Sequence, residues 1–258
     1  MKASILHENQ TYQIDLSRPL NISIPLREGM AGVNAFYAPL LEIEPVRSGS
    51  FVGDTREGGL LNFKTIKINP HGNGTHTECV GHIAKKIYNL GDCLKTYFFM
   101  AKVITVYPQK MPNGDRIILK EQIENTFLTN KKNDYKSTIE ALIIRTMPND
   151  DSKLNRHYSG TNPPYLDVEA TKYIVKRGIK HLLLDLPSVD REQDEGKLLS
   201  HKAFWQYPDR VEERLDCTIS ELIYVPNEIK DDIYLLNMMV TSLELDASPS
   251  QPILYQFE

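Results

Sequence analysis

The 258-residue chain has few cysteines, no long apolar run, and no excess of positive charge. Cys79, Cys93 and Cys217 are an odd count in a long chain, which argues against a disulfide framework and leads us to expect a reducing compartment. No stretch approaches the roughly 20 apolar residues of a membrane span. The best, residues 233–240, is short and interrupted by Asn237. The first ten residues turn polar too soon for a signal peptide, so a cytoplasmic protein that does not engage membranes is expected. Thirty Lys and Arg against 34 Asp and Glu leave a net charge of −4, and the basic residues are scattered, which excludes an electrostatic footprint for nucleic acid. Internal repeats, low-complexity tracts and Gly/Ser linkers are also missing.

The apolar fraction of 41% and charged fraction of 25% are those of a globular chain. Its length favours one domain, residues 1–258, with a core large enough to need no covalent staples. Short runs rich in Ile, Val, Leu and Tyr at residues 61–68, 101–107, 141–145, 181–186, 222–225 and 233–239 predict strands. Leu182, Leu183 and Leu184 are apolar in succession, as are residues 141–144, the pattern of strands covered on both faces. Residues 168–177 predict a helix that starts after Asp167 as N-cap and stops at Gly178. Residues 117–128, with Leu119, Ile123 and Phe127 four apart, predict a second, and a third begins near Leu198. Residues 149–164 read as a polar surface loop. The mixture predicts an α/β fold around a mixed, largely buried sheet.

The chemistry concentrates in residues 71–82, where His71, His76 and His82 fall within twelve positions and Glu78 lies among them. On an extended backbone His76, Glu78 and His82 project to one side. Imidazoles and a carboxylate converging on one point are what a divalent metal requires. His71 has the opposite parity and joins only if the chain departs from regular geometry, which Gly72 and Gly74 allow. A zinc-finger spacing is absent. Cys79 is a weaker candidate as a thiol nucleophile. Ser188 lacks the G-x-S-x-G elbow of serine hydrolases, and Gly72-Asn73-Gly74 is too short for a dinucleotide fingerprint. Asp185, Ser188 and Asp190 follow an expected buried strand and are read chiefly as structural, with orientation of ligands as the alternative. His157 is read as a solvated loop residue, His181 and His7 as without an assigned role, and Phe204 and Trp205 as core rather than pocket. Glu212-Glu213 reads as a solvated face.

The window from Gly72 to His82 resembles the signature H-x-G-T-H-x-D-x-P-x-H of the cyclase family of metal-dependent hydrolases, which includes bacterial kynurenine formamidase and isatin hydrolase. The Gly74-Thr75-His76 core and His82 match. Gly72 stands at the first His position with His71 one place earlier, Glu78 replaces Asp, and Val80 replaces Pro. Asp15-Leu16-Ser17, Leu142–Thr146 and the element from Gly178 through Asp190 are similar to further family segments in the same order, followed by His201 and Glu221.

The resemblance implies a swivelling β/β/α-type domain and a homo-oligomer, dimer or tetramer, with residues 20–59 as a covering arm. It implies metal ligation by His76 and Glu78 with His201 and Glu221 as distal ligands, and with His71 as substitute for the missing imidazole. Glu212 is the fallback if Glu221 is misplaced. His82 would be the acid/base residue. One or two Zn or Mn ions per chain would then activate water against a small amide, formamide or cyclic amide C–N bond. A non-catalytic ligand-binding descendant, or a metal-dependent lyase or dehydratase, is the alternative.

Overall fold

The computed structural model describes residues 1–128 and 139–258. Its centre is a sheet built from β1 (Leu20–Asn21), β2 (His76–Glu78), β3 (Phe98–Val106), β4 (Ala141–Thr146), β5 (His181–Leu184), β6 (Thr218–Glu221), β7 (Ile233–Val240) and β8 (Ala247–Gln256). The spatial order is β7-β3-β4-β5-β6-β2-β8-β1, and an additional β7–β8 pairing closes seven of these strands into a ring. Strands β3 to β6 run parallel, while β2 and β7 are antiparallel to their neighbours. Closure leaves β1 as the outer strand paired to β8, so nearly every ladder group has a partner.

The consecutive apolar residues divide by parity, as a strand covered on both faces requires. Phe99, Ala101, Val103, Ala141, Ile143 and Leu183 join one buried cluster with Leu236, Met238 and Leu254. Met100, Ile104, Val106, Leu142, Ile144, Leu182 and Leu184 join another, packed under the helices. Those helices are α1 (Lys120–Leu128), α2 (Val168–Lys176) and α3 (Leu199–Trp205). They contribute Ile123, Ala170, Ile174, Phe204 and Trp205 to the second cluster. Asp167 caps α2 by accepting from Glu169 N, and Gly178 takes φ +80° just beyond its end.

Several expectations need correction. The helix expected from residue 117 starts at Lys120, because Arg116–Ile118 is a short strand pairing with Tyr165–Leu166. Residues 222–225 are not the strand; β6 ends at Glu221, and Leu222 turns the chain with φ +52°. Of residues 61–68 only Lys64–Lys67 is extended, paired with Glu42–Pro45. The segment 149–164 is not a plain surface loop: Asn149, Lys153 and Tyr158 are buried, and His157 is half-buried. Lys153 enters to meet Asp185 at 2.7 Å, and local polarity alone gives no hint of that pairing. Pro249 and Pro252 and the polar residues around them hid β8, the strand that closes the ring.

The expected arm has two unlike halves. Ile22, Ile24, Val33, Ala35 and Leu41 are buried. The inner half lies directly on the glycine loop: Ala35 N donates to Gly72 O at 2.9 Å, and a Cβ on Gly72 or Gly74 would stand 2.4 Å from Ala38 or Leu26. Gly72 is therefore needed for close packing rather than for its φ, whereas the neighbour of Gly74 is the movable end of the exposed Leu26 side chain. Farther out Phe51 is exposed, and just beyond the arm so are Leu60, Leu61, Phe63 and Ile66.

Candidate metal centre

Strand pairing assembles the floor of the site. Glu221 on β6 is in register with His76 on β2, and Ile219 with Glu78. Residues in register share a face, so His76, Glu78 and Glu221 point together toward the helical layer that also covers Ile219. The chain then leaves β2 in a short 3₁₀ turn, Val80–His82. That turn, rather than strand parity, brings His82 back to 3.6 Å from Glu78. The fourth imidazole comes from α3. Asp190 accepts from the backbone N of Ser200 at 2.7 Å and of His201 at 3.1 Å, holding the first turn of that helix. The same carboxylate takes His201 Nδ1 at 2.7 Å. Asp190 thus serves as helix anchor and as orienter of His201 together, and the expectation of a chiefly structural role was too narrow.

Glu78 is the hub. His201 Nε2 lies 3.3 Å from its Oε1, and His71 Nδ1 lies 3.1 Å from its Oε2. His76 Nε2 is 3.6 Å from Glu221 Oε2, and His201 Nε2 is 3.9 Å from Glu221 Oε1, which also accepts from Val189 N. The floor residues His76, Glu78, His201 and Glu221 are buried, whereas His71, His82 and Asp246 form a partly open rim. His71 Nε2 contacts Asp246 Oδ2 at 2.9 Å, and His82 Nδ1 is 3.6 Å from the same oxygen. Trp205 stacks on the His201 ring at 5.7 Å between centroids while donating its indole N–H to Cys217 O. It is a core residue, as expected, that also walls the site.

The charge balance follows from this packing. Burial disfavours charge on His71 and His201, but the carboxylates beside them outweigh it. Asp246 and Glu78 push His71 up to about 10, and Asp190, Glu78 and Glu221 push His201 up to about 10. Burial alone would raise Glu78, yet His82, His201 and His71 hold it well below the ordinary carboxylate range. His71 and then His82 likewise hold Asp246 low.

The donor set fits a divalent cation. His76 Nε2, His201 Nε2 and both Glu78 oxygens are buried without a hydrogen-bond partner, a costly state for a carboxylate unless something else satisfies it. Ligand distances of about 2.0–2.2 Å place ligand atoms roughly 3–3.6 Å apart, and the contacts of Glu78 with His71, His201 and His82, at 3.1, 3.3 and 3.6 Å, fall in that range. The compact sets are His71, His76 and Glu78; Glu78, His82 and His201; and His71, His82 and Asp246. Glu221 borders the first two through His76 and His201 without completing a compact set of its own.

Of the residues expected at the site, His71, His76, Glu78, His82, His201 and Glu221 are all brought together. Glu212 is exposed on the turn Val211–Arg214 and has no part in it. His181 is buried elsewhere, against Phe99 and Thr218, where burial depresses it to about 3. Cys79 is buried, and its thiol is pushed far up by Cys93 and burial, the opposite of an activated nucleophile. Sequence reasoning missed Asp246, which lies among ordinary loop residues with no spacing to mark it.

A barrel-like α/β domain whose helix-covered face carries a His/Glu/Asp cation cluster is the class these features define. The chain belongs to the cyclase family, described as "Putative cyclase", which matches residues 14–191. Similar solved structures include a potential metal-dependent hydrolase with cyclase activity, 14% identical, with a TM-score of 0.63 over 93% of this chain and 98% of that one. A predicted metal-dependent hydrolase from Bacillus stearothermophilus is 14% identical, with a TM-score of 0.59 over 92% and 98%. Isatin hydrolase A from Labrenzia aggregata, bound to benzyl benzoate, is 13% identical, with a TM-score of 0.65 over 93% and 94%. At such identities the likeness is one of fold. No curated protein matches the chain. Among the described residues no helix is long and apolar enough to cross a membrane.

Proposed function

We propose that the protein is a metal-dependent hydrolase that cleaves a small amide, formamide or cyclic amide C–N bond, with one or two Zn or Mn ions. The observation that carries this reading is Glu78, fully buried, its two oxygens unpartnered among three imidazoles. His76, Glu78, His201 and Glu221 would hold the ion from the floor and His71 from the rim. A divalent ion there supplies Lewis-acid polarisation of a carbonyl and a water acidified to near neutrality. The residues supply the rest. Gly74 O fixes His76 through Nδ1 at 2.9 Å, and Asp190 fixes His201 through Nδ1, so both present Nε2. His82, one-third exposed at the rim, is placed to pass a proton to the departing nitrogen.

The test is elemental analysis of protein purified without added metal, followed by turnover of a panel of formamides, cyclic amides and lactones. Bound Zn or Mn and activity lost on chelation are expected. Activity that survives thorough chelation would sink the reading.

We also propose that the chain, a single domain, assembles as a homo-oligomer through the apolar surface that follows the arm directly, residues 60–66. Leu60 is 98% exposed, and Leu61, Phe63 and Ile66, close to it along the chain, are exposed as well. The inner half is part of the core, so deleting the whole arm would unfold the loop it covers. Leu60→Ser with Phe63→Ser is the sharper probe. Light scattering should show a dimer or tetramer turning into monomer, and a monomeric wild type would contradict the assembly.

A further inference from the structure

Asp246 lies outside the family match, which ends at residue 191, and the signature window does not reach it. Its backbone is fixed beside the hub: Ala247 pairs with Glu78, and Cys79 N donates to Asp246 O at 2.9 Å. Gly81 makes room for it, because a Cβ there would stand 2.9 Å from Asp246 Cβ and 2.2 Å from Tyr88 O.

An ionised carboxylate only accepts hydrogen bonds, so the proton in the 2.9 Å contact between Asp246 Oδ2 and His71 Nε2 belongs to the ring. With Nε2 engaged, His71 turns Nδ1 toward Glu78 Oε2, 3.1 Å away. His76 and His201 follow the same rule, each tied through one nitrogen, to Gly74 O and Asp190 respectively, and open at the other. His71 needs the tie most. It sits one residue before the usual position and at the rim, with 26% of its side chain exposed, where packing alone does not fix the ring.

We propose that Asp246 is a positioning residue of the metal site, holding His71 by Nε2 so that Nδ1 replaces the imidazole missing at position 72. The inference rests on the proposed metal-dependent function and deepens it. Losing an outer hydrogen-bond partner of a metal-ligating histidine costs about 10–100-fold in affinity.

The test is calorimetric titration of the metal-stripped full chain with Zn²⁺ and Mn²⁺. Asp246→Ala should weaken binding within that range, and Asp246→Asn, whose amide oxygen still accepts from Nε2–H, should recover most of the loss. The visible spectrum of the Co²⁺-loaded protein should change in Asp246→Ala and return toward wild type in Asp246→Asn. In a His71→Ala background, Asp246→Ala should cost less than about twofold more, because two residues acting through one contact are not additive. Wild-type affinity in Asp246→Ala, or full additivity with His71→Ala, overturns the positioning role while leaving the metal reading intact. A wild-type chain that takes up neither ion overturns both.

Discussion

Glu78→Gln is expected to strip the protein of metal, with affinity falling by roughly a thousandfold or more, since even an outer-partner loss costs about 10–100-fold. The size of the effect comes from the position of the residue. Glu78 meets His71 and His82 through one oxygen and His201 through the other, and no other carboxylate among the described residues touches three of the imidazoles. Gln keeps the shape but offers one weak neutral oxygen and an amide group that repels a cation. Any activity found with the substrate panel should disappear with the ion. The fold should survive but weaken: in the metal-free chain Glu78 offsets charge on His71 and His201, and because Asp246 and Asp190 still face those rings the loss of unfolding free energy should not exceed about 3–5 kcal/mol, that of a broken buried pair. Elemental analysis and urea denaturation of the stripped protein measure the two arms. Metal content equal to wild type would remove Glu78 from the centre of the site.

The second large effect is on stability and lies away from the cation cluster. Lys153 Nζ donates to Asp185 Oδ2 at 2.7 Å, to Thr146 O at 2.7 Å and to Asn149 Oδ1 at 3.2 Å, with 3% of the Lys side chain and none of the Asp exposed. Asp185 also accepts from Thr146 N and Oγ1, so the pair joins the ends of β4 and β5 to the segment that follows β4. Burial pulls the Lys153 ammonium below its ordinary value and pushes the Asp185 carboxyl up, each offset by the partner's charge. Lys153→Met strands a buried carboxylate and is expected to cost about 3–5 kcal/mol at neutral pH. The stranded Asp185 has its folded pKa raised, so the folded variant binds the proton more readily than the unfolded chain does. Its deficit should therefore shrink as pH falls. Lys153→Met combined with Asp185→Asn should recover part of the loss. Urea denaturation of the single variant with a loss under about 1 kcal/mol would show that water reaches the pair, as at an exposed ion pair.

Legibility from sequence was uneven for identifiable reasons. Strands β3, β4, β5 and β7 were readable because continuous Val, Ile and Leu report burial on two faces. The polar, proline-bearing β8 was not, since its stability comes from the ladders on either side. Helix α2 carries its own start and stop signals in Asp167 and Gly178. Helix α3 has a left-handed Leu198 before it and takes its anchor from Asp190, ten residues upstream of Ser200. The candidate metal cluster divides the same way: His76 and Glu78 lie within three residues and are visible together, whereas Asp246 carries no local mark.

The linear chain by itself marked His71, His76, Glu78 and His82 as a candidate cluster and indicated a buried sheet, because composition, periodicity and short spacing are local quantities. Only the tertiary structure decided that Glu221 stands across from His76, that a turn rather than strand parity delivers His82, and that Asp246 grips His71. Those placements depend on ring closure and on hydrogen bonds between groups as many as 175 positions apart. A contact of that kind leaves no pattern along the chain, because neither partner's neighbours need to change for it to form.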